Sequence, residues 1–187
     1  MDSLLKLNLG CGQNLFPEHI NVDKFGSPDV CHDLESFPWP WHNDSVGIII
    51  MNHCLEHLGA IASVYFLIFQ EIYRICAPDA KIYIGVPHPR HDDFINDPTH
   101  VRIVTPNSLR LFSKKLNLKW KLNKCANSPL GLFLDVDFEL IEYTYTPDPE
   151  WQNRLVKKEC SESEFHQAVR KYNNVVKEIR MVLRVVK

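Results

Sequence analysis

Four groups of residues in this 187-residue chain have the types and spacing to hold a nucleoside and act beside it. The first is the turn Gly10-Cys11-Gly12, which follows the apolar run Leu7-Asn8-Leu9. Glycine lets backbone pass close to a ligand without a Cβ clash. The second is Asp23, closing Ile20-Asn21-Val22, where a carboxylate can accept both hydroxyls of a ribose. The third is Asp33-Leu34, an acid able to receive an adenine amino group beside an apolar side chain that can pack on the ring. The fourth is Asn52-His53-Cys54-Leu55-Glu56-His57, directly after a run of Val and Ile. Taken singly, each has an ordinary reading: a strand-to-helix turn for G-x-G, and a helix cap or solvated turn acid for Asp23. Their joint order carries the argument, because all four fall at the carboxyl ends of expected strands. Open α/β sheets bind ligands in the crevice at that edge.

Two histidines, His57 and His100, are candidate general bases near neutral pH. The competing role for His57 is structural, bonding a nearby backbone carbonyl. His53-Cys54-Leu55-Glu56-His57 also fits the H-x-x-E-H pattern of a zinc hydrolase. That chemistry needs a helix placing both histidines on one face. A segment following a buried strand and closed by Gly59 is instead expected to form a short turn, so no resident metal is expected. Residues 88–100 hold His88, His91, His100, Asp92, Asp93 and Asp97. They read as a solvated loop or as a cover over the site, with a divalent metal as a lesser alternative.

Positioning these groups requires a parallel sheet. Residues 4–9, 20–23 and 30–34 are expected as short strands, and 46–51 as a central strand covered on both faces. A truncated helix is expected between Gly12 and Ile20. Residues 61–76 form a helix that packs hard on the sheet and is stopped by Pro78, and 81–86 form the next strand. Thr105-Pro106 opens a helix running to about residue 116, which Asn117 can end. Residues 118–124 and 132–146 alternate in part and read as strands, with a turn over 127–131. Ser161-x-x-Glu164 is a capping box for a helix to about residue 172, and 175–186 close as a strand. Strands alternate with helices in the first half and dominate the second. The expected fold is therefore α/β, a Rossmann-like three-layer sandwich with a mostly parallel sheet and an antiparallel edge, forming one domain over residues 1–187.

Hydrophobic residues make up 45% of the chain and charged residues 24%, ordinary for a globular domain. The net charge of −2 offers no basic field, so no nucleic acid partner is expected. Met1-Asp2-Ser3-Leu4 lacks the pattern of a signal peptide, and no apolar stretch is long enough to span a bilayer. The six scattered cysteines read as reduced thiols, and a cytoplasmic location without membrane attachment is expected. The oligomeric state is not legible.

With these residues in place, the sequence resembles the class I S-adenosylmethionine (SAM)-dependent methyltransferases, specifically the small type 11 group. That group reads L-N-L-G-C-G, I-N-V-D, H-D-L, an apolar strand, H-x-L-E-H-L, R-x-L-K-P-G-G and V-P. The matching residues are 7–12, 20–23, 32–34, 46–51, 53–58, 74–80 and 86–87. The resemblance implies SAM as cofactor, held by Gly10, Cys11, Gly12, Asp23, Asp33 and Leu34, with Asn52 and His53 near its methionine end. It implies methyl transfer to a small-molecule or saccharide acceptor, and it places residues 88–104 where acceptors sit. The chain departs from the group at Asn8 and Asn14, where an acid and a glycine are usual, and at Ala77-Pro78-Asp79-Ala80. These departures leave a catalytically inactive SAM- or nucleotide-binding module as the alternative.

Overall fold

The computed structural model describes residues 3–187; Met1 and Asp2, part of the stretch read as lacking a leader, lie outside the described residues. One sheet of seven strands organises the chain, in the order β3-β2-β1-β4-β5-β7-β6. The strands are β1 (Leu5–Leu9), β2 (Ile20–Asp23), β3 (Val30–Cys31), β4 (Val46–Asn52), β5 (Cys76–Pro87), β6 (Phe138–Pro147) and β7 (Val176–Val185). The pairings among β1 to β5 are parallel, and β7 runs antiparallel to both β5 and β6. The mixed sheet with its antiparallel edge is thus as the sequence implies. The order of pairing reverses between β1 and β4, so the carboxyl ends of these two strands open a crevice.

Helix α1 (Ala62–Ile75) buries Tyr65, Ile68, Phe69, Ile72 and Ile75, spaced at three to four residues along one stripe. That stripe meets an aromatic stack. Phe69 lies parallel to Phe112 at 4.1 Å between centroids and edge-on to Phe138 at 5.7 Å. The helix ends at Ile75, before Pro78, and β5 starts at once with Cys76 paired to Val46. Residues 77–80 form a bulge, with Asp79 at φ 62°, before regular pairing resumes at Ile48 and Lys81.

The expected truncated helix after Gly12 is not formed: residues 10–19 are turns and loop. Pro17 disfavours helical geometry at Phe16. A buried asparagine pair stitches the loop instead. Asn8 Nδ2 donates to Asn21 Oδ1 at 2.9 Å and to the Asn14 carbonyl at 2.8 Å. Asn21 Oδ1 also accepts the Phe16 N–H at 2.9 Å. Residues 24–29, linking β2 to β3, have no helix either. Between β3 and β4 the Trp39 and Trp41 segment packs into the core and is tied to α1. Arg74 donates to the carbonyls of Trp39 and Trp41, while Glu71 accepts the Trp39 N–H at 2.6 Å.

The helical layers are therefore unequal. In β5 and β7 the residues Ile82, Ile84, Met181 and Leu183 are buried on one face. On the other, Lys81 pairs with Arg184 and Tyr83 with Val182, and Lys81 and Tyr83 stand exposed.

The second half corrects several expectations. After α2 (Asp92–Ile95), the Thr105-Pro106 start gives α3, but α3 covers only Pro106–Arg110. Residues 118–124, expected as a strand, belong to α4 (Lys114–Leu122), capped by Ser113. The alternation there is not one of burial, since Leu118 and Leu122 are both exposed. Asn117, expected as a terminator, is buried inside α4. It donates to the Leu111 carbonyl and accepts the Leu132 N–H, fastening α5 (Leu130–Phe133) beneath it. The expected strand at 132–146 therefore starts only at Phe138. Helix α6 (Pro149–Val156), with Asp148 as N-cap and Pro at its start, was not foreseen. Helix α7 (Glu162–Lys171) carries the expected capping box. It closes a small second core of Cys160, Phe165, Ala168, Val175 and Val176.

Candidate functional site

A cavity of about 400 Å³ opens at the carboxyl edge of the sheet. Of the residues expected to bind, Gly10, Asp23, Asp33, Leu34 and His53 line it, and so does His57. Lys24, Phe25, His32, Cys54, Leu58 and Thr99 complete the wall.

Gly10 has φ +67°, and a Cβ there would fall 2.3 Å from Cys54 Sγ. Its lack of a side chain is what lets the segment after β4 fold down over the turn after β1. The Gly10 and Cys11 N–H groups both donate to the Val22 carbonyl, at 2.8 and 3.1 Å. Asp23 accepts the Gly12 N–H through one oxygen and the Phe25 N–H through the other, each at 2.9 Å. A carboxylate has about four acceptor sites, so two such bonds leave lone pairs for a ligand. Asp33 accepts the Glu35 N–H at 3.0 Å and lies 3.6 Å from Lys24 Nζ. Leu34 is buried, its carbonyl holding the indole N–H of Trp39 at 3.1 Å. Cys11, Gly12 and Asn52 fall outside the cavity wall, although Gly12 reaches it through its bond to Asp23.

His53 sits at φ +49°, and its N–H donates to the Gly85 carbonyl at 2.8 Å. Its ring lies between two carboxylates: Glu56 Oε1 is 3.5 Å from Nδ1, and Glu178 Oε2, on β7, is 2.9 Å from Nε2. Glu56 first, then Glu178, hold the His53 pKa above the usual histidine value, against burial acting in the opposite sense. Burial raises Glu178, but Arg180 and His53 beside it outweigh that and keep it below the ordinary glutamate range.

On the far wall, His57 and His100 face each other at 4.6 Å between ring centroids. His100 is not part of the cavity wall but stands behind His57. Thr99 Oγ1 donates to Asp97 Oδ1 at 2.6 Å and lies 3.0 Å from His57 Nδ1. The hydroxyl proton is thus committed to Asp97, and Thr99 accepts from His57. His100 Nδ1 lies 3.0 Å from the Phe94 carbonyl, which can only accept. Both histidines are therefore protonated on Nδ1, and each keeps one ring nitrogen with a lone pair.

The zinc-hydrolase pattern is not realised. Only Leu55–His57 is helical, as a single 3₁₀ turn, and His53 lies before it with positive φ. His53 turns to Glu178 and His57 to Thr99, so the two do not share a helix face.

Sequence reading missed Lys24, Phe25, His32, Thr99 and Glu178 as neighbours of the site. Phe25 carried a usable signal: a large aromatic directly after a strand-end acid, and 72% exposed. Glu178 carried none, because 125 positions separate it from His53.

The strand order and the cavity at its reversal define a Rossmann-like fold of the class I SAM-dependent methyltransferases. Solved structures bear out that fold. A SAM-dependent methyltransferase from Archaeoglobus fulgidus aligns over 97% of this chain and 86% of its own, with a TM-score of 0.65 and 17% identity. The 1,6-didemethyltoxoflavin-N1-methyltransferase of Burkholderia thailandensis, solved with 1,6-didemethyltoxoflavin and S-adenosylhomocysteine, covers 98% and 71% at TM-score 0.53 and 12% identity. A SAM-dependent methyltransferase from Mesorhizobium loti covers 97% and 90% at 0.52 and 13%. No family model matches the sequence, and no curated protein does. Among the described residues no helix is long and apolar enough to cross a membrane.

Proposed function

We propose that this protein is a SAM-dependent methyltransferase acting on a small-molecule or saccharide acceptor, with SAM bound in the cavity at the carboxyl edge of the sheet. The observation that carries this reading is the convergence of Gly10, Asp23, Asp33, Leu34 and His53 on one cavity at the point where strand order reverses. The cavity has the size of a small-molecule site, which spans roughly 300–1,000 Å³. Asp23 offers its remaining lone pairs to the ribose hydroxyls, with its position fixed by two backbone N–H groups. Asp33 receives the adenine amino group, while Leu34 and the exposed ring of Phe25 supply apolar surface for the base.

When bound, SAM supplies an electrophilic methyl group. The residues of this chain then need mainly to align the acceptor, since proximity and orientation are the chief demands of such a transfer. His57 and Thr99 line the cavity with His100 behind His57, and we assign this wall to the acceptor. His57 and His100 each keep a lone-pair nitrogen and can take the proton of a hydroxyl acceptor. The neighbour from Burkholderia is by name a methyltransferase of 1,6-didemethyltoxoflavin, which agrees with a small-molecule acceptor here.

Calorimetry with SAM and with S-adenosylhomocysteine tests the reading. Wild-type protein binds both, and Asp23→Ala loses about 1–3 kcal/mol, on the order of 5- to 150-fold in affinity. Equal affinity in the variant and the wild type would overturn the placement. Release of S-adenosylhomocysteine across an acceptor panel then separates a working transferase from a silent binding module.

A further inference from the structure

Glu56 is fully buried, and neither of its carboxylate oxygens takes part in a hydrogen bond among the described residues. Its ion-pair contact is His53 Nδ1, 3.5 Å from Oε1 and out of hydrogen-bonding geometry, which leaves Oε2 with nothing. A buried carboxylate with one such contact and no hydrogen bond is costly unless a further cation compensates it. One ligand atom each from Glu56, His57 and His100 lies within 4.8 Å of the others. The two rings have their Nδ1 protons committed to Thr99 and the Phe94 carbonyl, so each has one lone pair left over. A carboxylate oxygen and two ring nitrogens are thus brought within 4.8 Å of one another, with Asp97 Oδ2 3.7 Å from His100 Nε2. The ring N–H groups are anchored by a hydroxyl and a carbonyl, the outer partners that metal-bound histidines commonly have.

We propose that Glu56, His57 and His100 bind a divalent transition-metal ion, contrary to the expectation of a metal-free site. Two imidazoles and one carboxylate suit Mn²⁺, Fe²⁺, Co²⁺ or Zn²⁺ rather than Mg²⁺ or Ca²⁺, which favour oxygen ligands throughout. His57 and Thr99 line the cavity, so positions left open on the ion face it. An oxygen-bearing acceptor can occupy them, a consequence that rests on the methyl-transfer reading; the metal site itself does not. A histidine nitrogen holding the ion is not at the same time a base.

The test uses tag-free protein stripped with chelator and titrated with CoCl₂ alone, followed by calorimetry and visible absorption. One equivalent of Co²⁺ with ligand-field bands is expected. Affinity should fall at least tenfold in His57→Ala, His100→Ala and Glu56→Gln, and on the order of tenfold in Thr99→Val, which removes an outer partner. Circular dichroism reports whether each variant folds, and should Glu56→Gln fail to fold, the two histidine variants decide. Asp23→Ala should lose SAM affinity and keep Co²⁺, so the two proposals fail separately. Substoichiometric Co²⁺ in wild type, or binding unaltered in the histidine variants, would overturn the site.

Discussion

Phe25 and Gly10 show two ways a single residue shapes the cavity. Phe25 is held by the bond from its N–H to Asp23, and its ring stands in solvent at the rim. Such a ring stabilises little in the folded chain, and on the proposed reading it covers the bound SAM. Phe25→Ala should leave the melting temperature within about 2 °C and weaken SAM binding by about 1 kcal/mol, read by calorimetry. Gly10 behaves in the opposite way. Gly10→Ala puts a methyl into the space of Cys54 at a positive φ, and urea unfolding should show a loss of about 2–4 kcal/mol. That Asp23, Asp33 and His53 meet at one cavity was legible in the sequence because each closes or directly follows a short apolar run, and strand ends converge in a parallel sheet. The Cys54 contact that demands Gly10 was not legible, since spacing alone cannot show which loop lies over which turn.

Among the elements, the connections show how side chains replace missing helices. The Arg74–Glu71 pair on α1 holds the Trp39–Trp41 segment where a crossover helix would otherwise run. Arg74 beside it, with the Trp39 N–H, holds the Glu71 carboxyl below the ordinary glutamate range despite burial. A carboxyl depressed in the folded state stabilises above its unfolded pKa and loses that contribution as pH falls through the folded value. Arg74→Gln should therefore destabilise the protein near pH 7 and flatten the fall in stability below about pH 4.5, checked by urea midpoints across pH. The asparagine stitch behaves likewise. Asn21→Ala removes the acceptor of one Asn8 amide hydrogen and of the Phe16 N–H and should cost about 2–3 kcal/mol in the same assay. The elements that could be read from sequence were those whose own side chains state their limits, such as α7 with its capping box and β4 with its Val and Ile. Those misread depend on remote partners. Asn117 looks like a helix terminator until Leu111 and Leu132 meet it, and the alternating leucines of α4 imitate a strand because their exposure is set by packing.

Taken whole, the molecule holds its cavity on the β3-β2-β1-β4 half of the sheet, while the other half reaches the site through Thr99, in the segment after β5, and through Glu178 of β7 beside His53. The fold class was legible because its signal is distributed over many strand ends. The uneven cover of the sheet was not, because it depends on helices that the connections omit. Strand β7 follows all the other described elements in sequence, yet it lies between β5 and β6 and joins them. During synthesis, the nascent polypeptide cannot complete its hydrogen-bonded sheet until residues 176–185 have left the ribosome. The seam between β5 and β6 stays unfilled until then, and truncation before residue 176 should leave a chain that chaperones retain.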